Sequence, residues 1–395
     1  MRTAGTLPEI GALSLEEKIG QMLCLGWGGE GALLGINAQA RACVQEMKAG
    51  GMVVMGRNLS PSVKPLPAID APTVRAMLNQ LNEMADIPLL LPTDQEGGRV
   101  ARFGTAPFTR MPPAMTVGER GDTELAHRAA QAVGRELLSV GVNWNFAPVA
   151  DVNSNPENPV IGDRSFGTNP EAVTPMVVAQ VRGYQEAGVL ACAKHFPGHG
   201  DTSLDSHYDL PRISFNREAM EQRELVPFRA AIEAGVATIM TAHILFPELE
   251  PDALPATMSP AILTQLLRNQ MGFQGLIVTD CLEMKAVADH WGTACGAVLA
   301  AKAGADMLLV CHTLDRQRET YAALLEAARS GELPIERIDN AVRRVLAAKQ
   351  WVVQAEPLAL TVIGSEEHVA IRQELTGETL ATAQAPTTLG EQAPD

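Results

Sequence analysis

Eight short apolar runs, each followed by a longer stretch with hydrophobic residues at helical spacing, leave few folds open to this 395-residue chain. The runs are Met22 to Trp27, Gly51 to Met55, Pro88 to Pro92, Val142 to Val149, Val189 to Ala193, Ala237 to Met240, Leu276 to Val278 and Met307 to Val310. Near-continuous apolar strands are buried on both faces, which is the condition of a parallel sheet, and parallel neighbours need a crossover helix between them. The segments 38–49, 73–85, 123–140, 171–187, 217–234, 261–270, 293–303 and 315–330 carry the 3.6-residue period that supplies it. Ala-Gly pairs at 49–50, 187–188, 234–235 and 303–304 read as helix C-caps leading into the next strand. Eight such units predict an α/β fold, a (β/α)8 TIM-like barrel, which takes about 250 residues and more with insertions. The expected organisation is a single barrel domain over residues 1–350 with a C-terminal helical extension and tail over 351–395, where Ser365 is placed to cap a further helix. A capping box at Ser14 (SLEE) marks the first helix, and the Pro- and Ser-rich segment 57–70 reads as a loop insertion at the rim.

Charge and composition narrow the partners. Asp and Glu number 46 against 31 Lys and Arg, a net charge of -15 that repels phosphate backbones and anionic lipid surfaces, so neither nucleic acid nor membrane is expected as a partner. No apolar run approaches the roughly 20 residues of a membrane span. The N-terminal stretch lacks a basic start followed by an apolar core, which makes the cytoplasm the expected compartment. Six scattered cysteines with no C-x-x-C pair, four of them in or beside apolar runs, read as buried free thiols.

Barrel enzymes build their sites at the C-terminal ends of the strands, and the polar residues of this chain collect there. Asp94 ends PLLLPTD, Asp151 follows NFAPVA, Lys194 and His195 follow VLACA, His243 ends TIMTAH, Asp280 ends GLIVTD and His312 follows MLLVC. The densest cluster is KHFPGHGDTSLDSHYDL over 194–210, with three of the eight histidines in a Gly- and Pro-broken segment that reads as a loop carrying chemistry. Gly198 and Gly200 read as points of freedom that let His207 swing in once substrate binds. Two further Gly-flanked pieces stand out. TDQEGGRVAR carries Asp94, Glu96, Arg99 and Arg102, and IGDRSFG carries Arg164; Asp and Arg so placed can grip vicinal hydroxyls through paired hydrogen bonds.

These motifs, with LSLEEKIGQML near the start and TDCLEMKAV after the seventh run, resemble glycoside hydrolase family 3, in its bacterial β-N-acetylglucosaminidase branch, over about Leu13 to Lys349. The resemblance implies a retaining double displacement with Asp280 as nucleophile and His207, partnered by Asp205, as general acid/base. It also implies that Asp94, Arg102, Arg164, Lys194 and His195 hold the non-reducing-end sugar, with no cofactor and no metal. The expected substrate is a terminal β-linked N-acetylglucosamine on small wall-derived (peptidoglycan) fragments, or on chitin oligosaccharides. Many relatives continue into a second α/β domain, so this barrel is expected to work alone or with another subunit, as a monomer or homodimer.

The chemistry is coherent on its own terms. A carboxylate on a rigid strand end can attack an anomeric carbon, and an imidazole titrating near about pH 6.5 can give and retrieve a proton once a carboxylate orients it. Singly, each residue has an ordinary alternative: Asp280 as the cap of a helix starting near Leu282, His207 as a surface imidazole, Asp205 as a turn former. Asp151, His199, His243 and His312 fit either a supporting role or plain rim structure, and Trp27 and Trp144 read as core or pocket wall. Three readings from other classes compete: a β-N-acetylglucosaminide phosphorylase using the same site, a metal-dependent barrel hydrolase drawing on the His/Asp run, and a sugar-binding protein without catalysis.

Overall fold

The computed structural model describes residues 7–28, 35–59, 67–203, 210–356 and 358–378. Asp205 and His207 lie outside the described residues. Eight parallel strands form the barrel: β1 (Leu23–Leu25), β2 (Gly51–Met52), β3 (Pro92–Thr93), β4 (Trp144–Asn145), β5 (Leu190–Phe196), β6 (Thr238–Thr241), β7 (Leu276–Cys281) and β8 (Met307–Val310). Their order, β2-β1-β8-β7-β6-β5-β4-β3, leaves β2 and β3 at the two ends. Hydrogen bonds Met52 N to Leu90 O (2.9 Å) and Val54 N to Pro92 O (2.8 Å) join those ends and close the ring. Each strand overlaps one of the eight apolar runs.

β5 and β7 each run three residues past their apolar stretches. Lys194, His195 and Phe196 belong to β5, and Asp280 and Cys281 to β7, so these polar residues sit on sheet backbone and not in the loops beyond it. The expectation that Lys194 opens a loop is corrected accordingly. Apolarity marks which residues face the core, whereas the ladder is decided by backbone pairing and continues while a neighbour is within reach.

The barrel interior is filled by Cys24, Leu90, Trp144, Phe146, Leu190, Cys192, Met240, Val278, Met307 and Leu309 among others, with Trp144 donating its indole N–H to Thr238 Oγ1 at 2.9 Å. A buried indole needs such a partner, and Trp144 is therefore core. The helices pack outside. Those over Thr123–Val140 and Thr293–Ala303 coincide with their periodic segments. Ser14 accepts from Glu17 N while Glu17 accepts from Ser14 N, the expected capping box. Ser365 caps Glu366–Thr376 as expected. That helix is held to the barrel through Glu136, which is buried and accepts from Thr109 N (2.9 Å), Gly364 N (3.0 Å) and the His368 ring (2.9 Å). All six cysteines are free, but Cys295 is exposed and Cys281 half-buried, a correction to the reading of uniformly buried thiols.

Candidate active site

The chain leaves β3 through an antiparallel hairpin, Gln95–Gly97 against Val100–Ala101. Gly97 and Gly98 turn it at φ 105° and 57°, a region that residues with a Cβ rarely enter. Asp94 and Glu96 stand two apart on extended backbone and so share a face. Arg102 returns on the other arm, its amide donating to Asp94 O at 3.1 Å and its guanidinium lying 3.5 Å from the Asp94 carboxylate.

β5 brings the counter-charges. Ala193 pairs with Ile239 and Phe196 with Thr241, so three steps on β5 match two on β6. This bulge breaks strict alternation, and both Lys194 and His195 meet buried partners. Lys194 Nζ lies 2.8 Å from Asp94 Oδ1 and 2.6 Å from Glu96 Oε1. Arg164 grips Glu96 with two parallel bonds, Nε to Oε2 at 2.8 Å and Nη2 to Oε1 at 2.9 Å, the strongest geometry open to this pair. Its loop is anchored by Arg99, which donates to Val160 O at 2.7 Å and pairs with Asp163 at 3.2 Å. Burial alone would raise the Glu96 carboxyl, but Arg164 and Lys194 outweigh it and hold it well below the usual carboxylate range. Asp94 is lowered in the same way by Lys194 and Arg102 against its burial. Burial works the other way on Lys194, where Asp94 and Glu96 overcome it and keep the ammonium charged.

Asp151, fully buried, organises the turn after β5. Its carboxylate accepts from His195 N (3.1 Å) and from His199 N (2.8 Å), and takes the His195 Nδ1 contact at 2.7 Å. That leaves His195 Nε2 beside Arg164 Nη2 at 3.4 Å. Burial and the neighbouring His195 push the His199 imidazole down to about 4, so it is neutral at pH 7. Gly198 and Gly200 serve close packing: a Cβ on Gly200 would lie 1.7 Å from Val152 O, and one on Gly198 would lie 2.7 Å from Glu224 Oε2. The swing expected of His207 falls on residues outside those described.

Asp280 stands on β7 two residues beyond Val278 and accepts from Cys281 N at 2.7 Å. Its charge reaches the same interior thiol, Cys192, as do those of Lys194 and Asp94, while burial is what pushes that thiol up to about 12. A cavity of about 320 Å³ opens above this layer, lined by Asp94 and Arg102 on one wall and by Cys281, Glu283, Lys285 and His312 on the other. Hydrogen bonding to Cys311 and His312 favours the Cys281 thiolate. His243 bonds to Thr257 Oγ1 (2.8 Å) and Cys281 O (3.0 Å), which supports the β7 end from the side.

Asp94, Arg102, Arg164, Lys194 and His195 thus form one connected network, and Asp280 stands on β7, two strands along the sheet from Lys194 and His195. Glu96 and Asp151 are the residues that hold this network together. Glu96 is legible in retrospect from its i+2 spacing to Asp94, whereas nothing local in the sequence marks Asp151 as the partner of a histidine 44 residues on.

The chain matches known proteins in sequence and in fold. The model of the glycosyl hydrolase family 3 N-terminal domain matches residues 14–348. Beta-hexosaminidase A of Pseudoalteromonas piscicida is 37% identical over 350 residues, 82% of this chain and 58% of that protein. A family 3 β-N-acetylglucosaminidase structure from Paenibacillus sp. str. FPU-7 superposes with a TM-score of 0.86 at 42% identity, covering 92% of this chain and 68% of that one. A β-glucoside phosphorylase bound to 2FGlc gives a TM-score of 0.82 at 27% identity, covering 93% of this chain and 65% of that one. The chain therefore spans between about half and two thirds of these longer proteins, and with the family model matched from residue 14 to residue 348 it belongs to glycosyl hydrolase family 3.

Proposed function

We propose that this chain is a retaining, exo-acting β-N-acetylglucosaminidase that removes terminal non-reducing β-linked N-acetylglucosamine from small glycans. Peptidoglycan fragments and chitin oligosaccharides are the candidate substrates. The observation that carries the reading is the charge-paired wall of Asp94, Arg102, Arg164 and Lys194, of which Asp94 and Arg102 line the cavity together with Cys281, the residue after Asp280. A cavity of about 320 Å³ suits one terminal sugar and not a long chain. It lies at the small end of ligand pockets, which run from about 300 to 1,000 Å³. The likeness to β-hexosaminidases and to a β-N-acetylglucosaminidase supports the N-acetyl sugar.

In this mechanism Asp280 Oδ attacks the anomeric carbon as the aglycone oxygen leaves, giving a covalent glycosyl-enzyme. His207, oriented by Asp205, donates a proton to the leaving oxygen and then takes one from the water that releases the sugar. Asp94, Arg102, Arg164, Lys194 and His195 hold the ring hydroxyls, and their mutual ion pairs keep them set before substrate arrives.

Steady-state kinetics on aryl β-N-acetylglucosaminide and aryl β-glucoside test this. Asp280→Ala should lose more than the roughly 10²–10⁴-fold that an acid/base residue contributes, and His207→Ala a loss within that range. Equal wild-type turnover of both sugars would overturn the specificity. Adding inorganic phosphate separates the phosphorylase reading, which requires a sugar 1-phosphate product in place of free sugar.

A further inference from the structure

Beside the sugar site, β7 and the turn after β8 bring three groups of a different chemistry together. The Cys281 thiol, the Glu283 carboxylate and the His312 imidazole each offer one donor atom, and these atoms all lie within 4.8 Å of one another. All three are half-buried and line the cavity wall opposite Asp94 and Arg102. Glu283 is aimed by two backbone donors, His312 N at 2.5 Å and Thr313 N at 3.0 Å, which leave its oxygens with lone pairs to share. The His312 ring meets Arg57 Nη1 only at 3.4 Å, longer than an ordinary hydrogen bond, so that contact can yield.

We propose that Cys281, Glu283 and His312 form a zinc site in the wall of the cavity, with the fourth position open to it, and that a zinc ion there inhibits turnover. The donor set selects the metal: thiolate, imidazole and one carboxylate suit Zn²⁺, whereas Mg²⁺ and Ca²⁺ require an oxygen shell. Tetrahedral bonds of about 2.0–2.3 Å put donor atoms roughly 3.3–3.8 Å apart, so the three side chains need only close by about an ångström. Binding releases the thiol proton, and any imidazolium proton, to solvent as the thiolate and neutral ring coordinate. The site is adjacent to the reacting carboxylate, because Cys281 N donates to Asp280 Oδ1 at 2.7 Å. Inhibition rests on the proposed role of Asp280, while zinc binding does not.

The experiment is titration of the tag-free protein with ZnCl₂ against a chromophoric chelator. Cys281→Ser, His312→Gln and, as control for the exposed thiol, Cys295→Ser are titrated alongside, each with a thermal melt to establish folding. One zinc per chain is expected, with affinity reduced at least tenfold in the first two variants and unchanged in Cys295→Ser. Wild-type affinity in folded Cys281→Ser and His312→Gln, or a binding loss in Cys295→Ser alone, would overturn the site. Hydrolysis of the aryl glycoside with and without ZnCl₂ is read separately: zinc bound at this site without loss of turnover would overturn the inhibition and leave the binding.

Discussion

Glu96→Gln isolates the network that the candidate site is built on. The formal charges are three against three, Asp94, Glu96 and Asp151 facing Arg102, Arg164 and Lys194, and Glu96 alone takes three of the contacts, at 2.6, 2.8 and 2.9 Å. Glutamine keeps the shape, removes the charge and, even with its carbonyl left to Lys194 and Arg164 Nη2, turns an N–H₂ toward the Arg164 Nε donor. With Glu96 and Lys194 side chains each only 3% exposed, water cannot replace what is lost. Breaking one partner of a buried pair costs about 3–5 kcal/mol. By contrast, Asp86→Asn breaks the Lys48–Asp86 pair, whose side chains are 35% and 67% exposed, and should cost no more than about 1 kcal/mol. Urea unfolding of both variants beside the wild type measures the contrast. Because the folded Glu96 carboxyl lies below its ordinary value of 4.5, its contribution is complete above that pH and is lost as the pH falls toward the folded value. The gap between wild type and Glu96→Gln should therefore narrow below about pH 4.5. A gap under about 1 kcal/mol at pH 7, or one that does not narrow in acid, refutes the reading of Glu96 as the buried counter-charge.

Lys349, fully buried with Nζ on Gln21 Oε1, is pushed down to about 7 by burial. The unfolded chain thus binds more protons between pH 7 and 10.5, and this group's contribution to stability rises with pH across that window. Lys349→Met should be more stable than wild type by about 3 kcal/mol at pH 6, after allowing for the orphaned Gln21 acceptor, with the advantage gone by about pH 10; a pH-independent difference in urea unfolding would contradict this. Glu136→Ala removes the acceptor for Thr109, Gly364 and His368 and should cost about 2–4 kcal/mol. Amide exchange should rise over 364–376, and unchanged protection there would show that the helix is held by other contacts. Asp151→Asn frees the His195 ring from its 2.7 Å partner and should lower kcat/KM by about 10–100-fold with the barrel still folded; near-wild-type kcat/KM would remove Asp151 from the positioning of His195.

The eight strands and their crossover helices were legible because burial on both faces imposes apolar runs, and a helix packed on a sheet imposes a 3.6-residue period. The strand-end positions of Asp94, Asp151, Lys194, His195 and Asp280 followed from that register, and the family followed from their motifs. Only the folded barrel decided the rest. That Lys194 and His195 both meet buried partners depends on the bulge between β5 and β6, a property of two strands together. That Glu96 bridges Lys194 and Arg164, and that Asp151 holds both His195 and His199, depends on residues 44 to 98 positions apart meeting at one rim, and burial there converts ordinary charges into mutually dependent ones. The periodicity of a chain reports which face each residue turns inward; which charges then share a low-dielectric space is settled by the closure of the ring.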